Sequence, residues 1–476
     1  MIGITIVDKT LGAPSVLSTF FLEVFMNTNL KNKFLKFLLT SFGSALIMSI
    51  YSIVDAVCVG QYHGESGTAA LATIMPLWTL IYSSGLLFGI GGATLLSSSR
   101  GRKDFKKANE YFTISFIGAL AVSIILWLTL FLFQDNLLNL FGAKNEEVFS
   151  LAKDYTFWMK LALPLFLSTQ YFAAFVRNDG EPLRATIAVI IGGVFNIFGD
   201  IFFVFDFGLG MGISGAGLAT MLGQIFTDVI LLTHFFSKKN TLRFTKVNNI
   251  FVSLKSVFLI GFPVFLIDMS MGILTILFNN QIVHYLGSSA EGTATLAIYG
   301  VICNIIALIQ SFAYAVGQAS QPLLAESFGA TKYKDINKLL KYGIVSVIII
   351  SILCFILMEA IPTSILKLFI SVEEGSLSLS LAPKIIRIYF ICSLFMIFNV
   401  YSTYYFQSIL KARTSFLVSM LRGVVLSLTL LYLIPLIFGF DQIWYTIPLT
   451  ELLTLIFVVI FMVKYTKAFK NSDIIK

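Results

Sequence analysis

Charge is what this sequence has least of. Asp, Glu, Lys and Arg together make up 12% of the 476 residues, where a soluble chain carries about a quarter. With 57% apolar residues and a mean hydropathy of +0.89, a soluble enzyme and a disordered chain are both excluded. Histidine is nearly absent: His63, His234 and His284 are scattered and show no metal-ligand spacing. The four cysteines, Cys58, Cys303, Cys354 and Cys392, lie inside apolar runs, where packing is expected instead of disulfides. No Walker A run occurs, so ATP does not drive the chain directly. Gly210, Gly212 and Gly215 fit G-x-G-x-x-G but lack a βαβ unit, and read as a turn with close packing. Gly85 and Gly89 read as helix packing. Long apolar runs, not short alternating ones, rule out a β-barrel.

What remains is an all-α polytopic membrane protein. Twelve apolar stretches of spanning length are expected, at about 34–59, 70–95, 111–134, 153–176, 185–205, 211–236, 256–283, 293–317, 339–361, 385–408, 415–438 and 443–463. The loops between them leave no room for a soluble domain. Residues 1–33 form an N-terminal segment without the basic start of a signal peptide, and Met26 is expected as the initiator. The net charge of +8 acquires meaning on this map. Positive residues crowd alternate loops: Arg100 to Lys107, Arg177 and Arg184, Lys238 to Lys255, Lys332 to Lys341, Lys411 and Arg413, and the tail over 464–476. The positive-inside rule then places both termini in the cytoplasm of a multi-pass plasma-membrane protein. The excess orients helices and is not a nucleic-acid patch.

The chain repeats itself. Gly67–Ala72 (GTAALA) returns as Gly292–Ala297 (GTATLA). Leu95–Asn109 returns as Leu323–Asn337 at nearly the same offset, setting Gly101 on Gly329. A period of six spans preserves orientation, so two six-helix lobes are expected, related by a pseudo-two-fold axis along the membrane normal. We divide the chain into an N-lobe at 34–236, an inter-lobe loop at 237–255, a C-lobe at 256–463 and a basic tail at 464–476. A cavity between paired lobes is the architecture of alternating access.

A carboxylate inside a span costs about 2.5–3.5 kcal/mol on insertion scales, so each needs a reason to be there. Asp55 stands in the first span and Asp200 in the fifth, with Asn196 one turn before Asp200 on the same face and Thr220 in the sixth span. Oxygen donors of this kind suit a proton or a small hard cation. At the repeat's registers Asp55 falls on Asn280, and Asn196 and Asp200 fall on Val424 and Leu428. The acid and amide set therefore belongs to one lobe. The C-lobe offers Asn280, Gln281, Tyr314, Gln318 and Asp268 as candidate cavity residues, and deep in its spans only one basic residue, Arg422. Asp228 is expected near the cytoplasmic interface, and Arg177-Asn178-Asp179-Gly180 as a cytoplasmic turn pinned by charge pairing.

Several stretches together resemble the multidrug and toxic compound extrusion (MATE) transporters. They are IYSIVDAVCVGQYHG, FVRNDGEPLRATIAVIIGGVFNIFGD, GMGISGAGLATMLGQ and GQASQPLLAESFGA, and the likeness runs from about residue 34 to 465, nearest the bacterial multidrug-exporter branch. The resemblance implies a cation-coupling site at Asp55, Asn196, Asp200 and Thr220. It also shows two departures: the usual first-span proline is absent from LLTSFG, and the acid that another branch carries in its seventh span would fall near Met271, three residues from Asp268.

The expected function is a multidrug efflux antiporter, not an enzyme, with no catalytic residues and no cofactor. It would export lipophilic organic cations as a monomer in the lipid bilayer, in exchange for H⁺ or Na⁺, the latter bound at the same four residues. A lipid-linked saccharide flippase of the same superfamily and a non-transporting receptor are the alternatives. Few basic residues within the spans argue against the first, and the repeat with its asymmetric acids argues against the second.

Overall fold

The computed structural model describes residues 28–143, 145–287, 289–369 and 376–474. Residues 1–27, and with them the expected start at Met26, lie outside the described residues. Among the described residues there is no strand. The long helices are α1 (Asn29–Gly64), α2 (Ser66–Gly101), α3 (Phe105–Leu140), α4 (Glu146–Asn178), α5 (Pro182–Val204), α6 (Ile213–Phe236), α7 (Ile250–Leu286), α8 (Ala290–Gly329) and α9 (Tyr333–Ala360). A short α10 (Pro362–Phe369) precedes α11 (Leu377–Phe390) and α12 (Ser393–Ser408), followed by α13 (Ala412–Phe438) and α14 (Phe440–Phe469). Twelve spans result when α11 and α12, bent by 40°, are taken as one.

That tenth span departs from the single stretch expected at 385–408. It begins at Leu377 and breaks at Ile391–Cys392, where Cys392, Leu394 and Phe395 bond to carbonyls three residues back instead of four. The helices also outrun their apolar windows. α7 and α8 hold 37 and 40 residues, about 55–60 Å at 1.5 Å per residue. An apolar window measures only the hydrocarbon crossing, about 30 Å, so the polar ends of these helices continue beyond it.

The repeat is written into the backbone at four turns. Gly64 (φ 62°, ψ −140°) reverses α1 into α2, and Gly287 (φ 60°, ψ −150°) reverses α7 into α8. Both φ values are in the region that only glycine enters freely. Lys103 and Thr331, Gly180 and Leu410, and Gly212 and Gly439 are likewise positive-φ residues at matching corners of the two halves. Pairing of this kind at four corners marks the second six spans as a copy of the first.

Around this frame the apolar side chains face outward. α3 exposes Ile117, Leu120, Ile124, Leu128 and Phe131, a stripe at helical spacing, while Ser115, Ser123 and Gln134 of the same helix are buried. A surface that is apolar over this breadth belongs to lipid.

The two lobes meet along α2 and α8. Residues 83–99 of α2 are all buried, as are 313–325 of α8 apart from Gln318. Nearer the opposite ends both helices open, through Thr68, Ala72 and Met75 on α2 and Thr293, Gly300 and Asn304 on α8. The cross-lobe bonds join Ser49 to Ser311, Arg177 to Gln318, and both Asn178 and Thr94 to Gln321. All lie at mid-depth or toward the Lys/Arg-rich ends. Among the described residues, the lobes are thus bonded together toward the basic face.

Candidate cation-coupling site

In the N-lobe, close helix crossings decide what meets what. A Cβ on Gly192 of α5 would lie 2.5 Å from the Gly223 carbonyl of α6, and one on Gly223 would lie 2.8 Å from the Gly192 carbonyl. Bare backbones can touch here, as small residues allow between helices in lipid. One turn further along α5, Asn196 Nδ2 donates to Thr220 Oγ1 of α6 at 3.1 Å. Gly193 takes Ile47 and Tyr51 of α1 against its backbone, which turns the Asp55 face of α1 toward α5. Gly217 likewise receives Tyr155 of α4.

Asp200 is fully buried and Asn196 is 3% exposed. Among the described residues, neither carboxylate oxygen of Asp200 has a hydrogen-bond partner, nor does Asn196 Oδ1 or one oxygen of Asp55. Asp55 and Asp200 lie close enough to repel each other. The Tyr155 phenol lies near Asp55 and Thr220. A buried polar group without a partner costs about 1–3 kcal/mol, more when charged. The structure therefore brings all four expected residues to one place, with several acceptor oxygens turned inward together. Sequence reading passed over Tyr155, which no local pattern links to Asp55. It also passed over Tyr51, whose place one turn before Asp55 was a usable signal. Beside this set runs a cleft lined by Met48, Tyr51, Thr169, Gln170, Asn196, Thr220, Gln224 and Thr227.

The C-lobe is built differently. Arg422 Nη2 and Nε reach Glu451 Oε1 at 2.6 and 2.9 Å, and Asn399 Nδ2 donates to Glu451 Oε2 at 2.7 Å. In the register that sets Asn196 on Val424, this pair occupies α13 and α14 at the places that Val194 and Gly223 hold in the N-lobe. Glu451 is thus already neutralised by a base. The candidate cavity residues fall into separate places. Asp268 and Tyr314 come together, Tyr314 donating its hydroxyl to Asp268 Oδ1, with Gln310 donating to the same hydroxyl at 2.7 Å. Gln310 is one turn before Tyr314 and was legible from that spacing. Gln318 instead accepts from Arg177 Nη1 at 2.7 Å. Gln281 is buried further along α7, and neighbouring Asn280 is exposed.

The Arg177–Gly180 turn pins more than two helix ends. Asp179 is buried and takes Arg100 Nη2 at 2.5 Å, His234 Nε2 at 2.6 Å, and Thr241 through N at 2.9 Å and Oγ1 at 2.6 Å. Burial alone would raise the Asp179 carboxyl, but His234, Arg100 and Thr241 together hold it below the ordinary carboxylate value. Glu181 beside it is held low by Lys239, 2.6 Å away. The next residues back, Arg177 and Asn178, reach the C-lobe, so one turn ties α2, α6, the inter-lobe loop and α8 together.

The MatE family model matches residues 41–202 and again 269–433, one match in each half. The chain belongs to the MATE family. It is therefore a multi-pass membrane transporter and not an enzyme. The chain is 23% identical over 409 residues to the multidrug export protein MepA of Staphylococcus saprophyticus subsp. saprophyticus, covering 86% of this chain and 88% of that one. MepA of Staphylococcus aureus strain MSSA476 is 23% identical over 410 residues, covering 85% and 87%. Among solved structures, a MOP superfamily transporter from Pyrococcus furiosus superposes with a TM-score of 0.84 at 19% identity, covering 94% of this chain and 98% of that one. A MATE transporter in an outward-facing conformation gives 0.81 at 19% identity, with 92% and 96% covered. A mutant of the Vibrio cholerae MATE transporter VcmN gives 0.82 at 18%, with 94% and 98% covered. These likenesses place the fold in the MATE family.

Proposed function

We propose that this MATE chain is a multidrug efflux antiporter, exporting lipophilic organic cations in exchange for H⁺ or Na⁺ by alternating access. Its basic face is cytoplasmic, as are both termini, and it works as a monomer in the plasma membrane. The MepA relatives, named as multidrug export proteins, support the substrate class. The coupling assignment rests on one observation: Asp200 is fully buried with both carboxylate oxygens unpartnered among the described residues, and the α1 face that carries Asp55 packs toward α5. Two carboxylates in one low-dielectric site repel, so a cation they share is strongly favoured there.

With the basic face inside, the closed α2–α8 seam corresponds to an outward-open state. In that state Asp55 and Asp200 capture the cation, with Asn196 and Thr220 supplying further oxygens. Neutralising the pair removes the repulsion between α1 and α5 and lets the N-lobe helices pack closer. That repacking lowers drug affinity toward the outside. Release of the cation inside restores the acids and the drug-binding form. Coupling requires only that cation and drug prefer different states. Substrate contact by apolar area and aromatic faces suits lipophilic cations. In the C-lobe, Asp268 with Tyr314 and Gln310 is the polar group best placed to orient such a molecule, with Gln281, Gln318 and Asn280 as further candidates. The saccharide-flippase reading would need unpaired bases in the lobes, and Arg422 is taken up by Glu451.

The test is ethidium transport by the full chain in proteoliposomes under separately imposed pH and Na⁺ gradients. Asp200→Asn is expected to abolish gradient-driven efflux while ethidium binding persists. Full gradient-driven efflux by that variant would overturn the coupling assignment.

A further inference from the structure

The N-lobe holds a third buried acid, which the coupling site does not use. Asp228 lies on α6, eight residues past Thr220 toward the basic face, about 12 Å of helix rise. It is 4% exposed. Ser168 Oγ donates to Oδ2 at 2.5 Å and Thr169 Oγ1 to Oδ1 at 2.8 Å. Among the described residues no base pairs with it. On the neighbouring helices, Asp200 of the coupling site apart, these charged and titratable groups have other partners. On α4, Tyr171 donates to the Phe112 carbonyl and Arg177 to Gln318. On α5, Arg184 meets Thr233 and Glu181. On α6 itself, His234 meets Asp179.

Two features set this acid apart from a structural one. The first is its connection. The cleft beside the coupling site is lined by Asn196 and Thr220 and also by Thr169 and Thr227, Thr227 standing seven residues past Thr220 on α6. Thr169 therefore touches the cleft and Asp228 at once. Thr220, Gln224 and Thr227 recur at three- and four-residue spacing along one face of α6. The second feature is a choice of acceptors. Ser168 and Thr169 each have one hydroxyl proton, and each also lies within reach of the Leu165 carbonyl, at 2.9 and 3.0 Å. When Asp228 is ionised both hydroxyls can turn to it. When it is protonated either can turn back to Leu165, so no buried donor is stranded in either state. A metal ion, by contrast, would meet oxygens already turned toward hydroxyl protons.

We propose that Asp228 is a proton relay station between the coupling site and the cytoplasm, which makes H⁺ the coupling ion. This rests on the coupling reading above. An O–H bond breaks at Asp200 or Asp55, the proton crosses the cleft on water as hydronium, and an O–H bond forms at an Asp228 oxygen. The same bond later breaks to water at the basic face. One positive charge has moved inward and nothing is oxidised or reduced.

The test uses the full chain with ethidium as probe and three measurements. These are efflux driven by an inward pH gradient, ethidium–ethidium exchange without a gradient, and proton release on ethidium binding in detergent. Asp228→Asn is expected to slow gradient-driven efflux about 10-fold or more, since it removes a proton-transfer group. Exchange and proton release persist, because neither needs the inner leg of the proton path. Asp228→Glu restores efflux, and Thr169→Val slows it in the same sense without touching a charge. Wild-type gradient-driven efflux in Asp228→Asn or in Thr169→Val would overturn the relay. So would loss of exchange together with efflux in Asp228→Asn, which marks a structural acid. If Asp228→Asn does not fold, Thr169→Val decides the matter alone. Failure of the underlying reading looks different: Asp200→Asn would keep its proton release and its driven efflux.

Discussion

Gly101 at the end of α2 and Gly329 at the end of α8 are counterparts in the repeat, and each lies against the other's helix. A Cβ on Gly101 would stand 2.7 Å from Ala330 N and nearer still to the Glu326 carbonyl. A Cβ on Gly329 would stand 2.7 Å from the Ser98 carbonyl carbon. The basic face closes where neither lobe has a side chain to hold the other off.

Gly101→Ala or Gly329→Ala is therefore expected to weaken this closure. Overpacking of this kind costs about 1–3 kcal/mol, and every 1.4 kcal/mol shifts a two-state population about tenfold. Gln321→Cys, introduced at the seam, reports the shift. Its alkylation by a membrane-impermeant maleimide from the basic side should speed up in either alanine background. Unchanged alkylation would mean that the seam gives way without opening.

At the coupling site, removing one neutral ligand is expected to cost less than removing an acid. Thr220→Val keeps the shape of the side chain but takes the oxygen that meets Asn196 Nδ2 at 3.1 Å. Half-maximal driving gradient should rise by several-fold, corresponding to about 1 kcal/mol for one hydrogen-bonding group. Asp55→Asn should abolish driven transport as Asp200→Asn does. Flux against the imposed gradient in proteoliposomes separates these outcomes.

Arg422 and Glu451 are 5% and 3% exposed, so the pair is desolvated. Removing one partner leaves a lone buried charge, worth about 3–5 kcal/mol of stability. Glu451→Gln should lower the melting temperature in detergent strongly. The double change Arg422→Met with Glu451→Leu should recover most of the loss. A double variant as unstable as the single one would show that the pair is not acting as a pair.

Asp179 sets a pH dependence at the basic face. Its carboxyl is held below the ordinary 3.8 in the folded chain. Its contribution is then fully present above about pH 4 and is lost as the pH falls through the lower folded value. Asp179→Asn should destabilise the protein near neutral pH, and the gap between the variant and the parent should narrow as the pH falls below the ordinary carboxylate value. Thermal unfolding across that range checks both the size and the sign.

Much of this was legible in the sequence because membranes impose simple rules. Scarce charge and long apolar runs required an all-helical, multi-pass chain, since lipid offers backbone groups no partner outside a helix. The return of GTAALA as GTATLA and of Gly101 as Gly329 disclosed the repeat, and Asp55, Asn196, Asp200 and Thr220 stood out as costly residues in only one copy. Local spacing could also have named Tyr51 and Gln310. What no spacing could show was the pairing of side chains across helices. Asp228 and Asp268 look alike in a sequence, as acids within apolar runs. One meets two hydroxyls and the other a tyrosine. Glu451 reads as a third such acid until Arg422, on the preceding helix, is found against it. Gln318 was placed with the cavity candidates, yet Arg177 of the other lobe holds it. Burial cost is a property of one residue in one helix, so the sequence determined which residues needed a reason to be there. Pair energies depend on distance between helices, so only the tertiary structure decided which acids are neutralised and which are hydrogen-bonded. It also decided that, among the described residues, Asp200 is the buried acid with no partner on either oxygen.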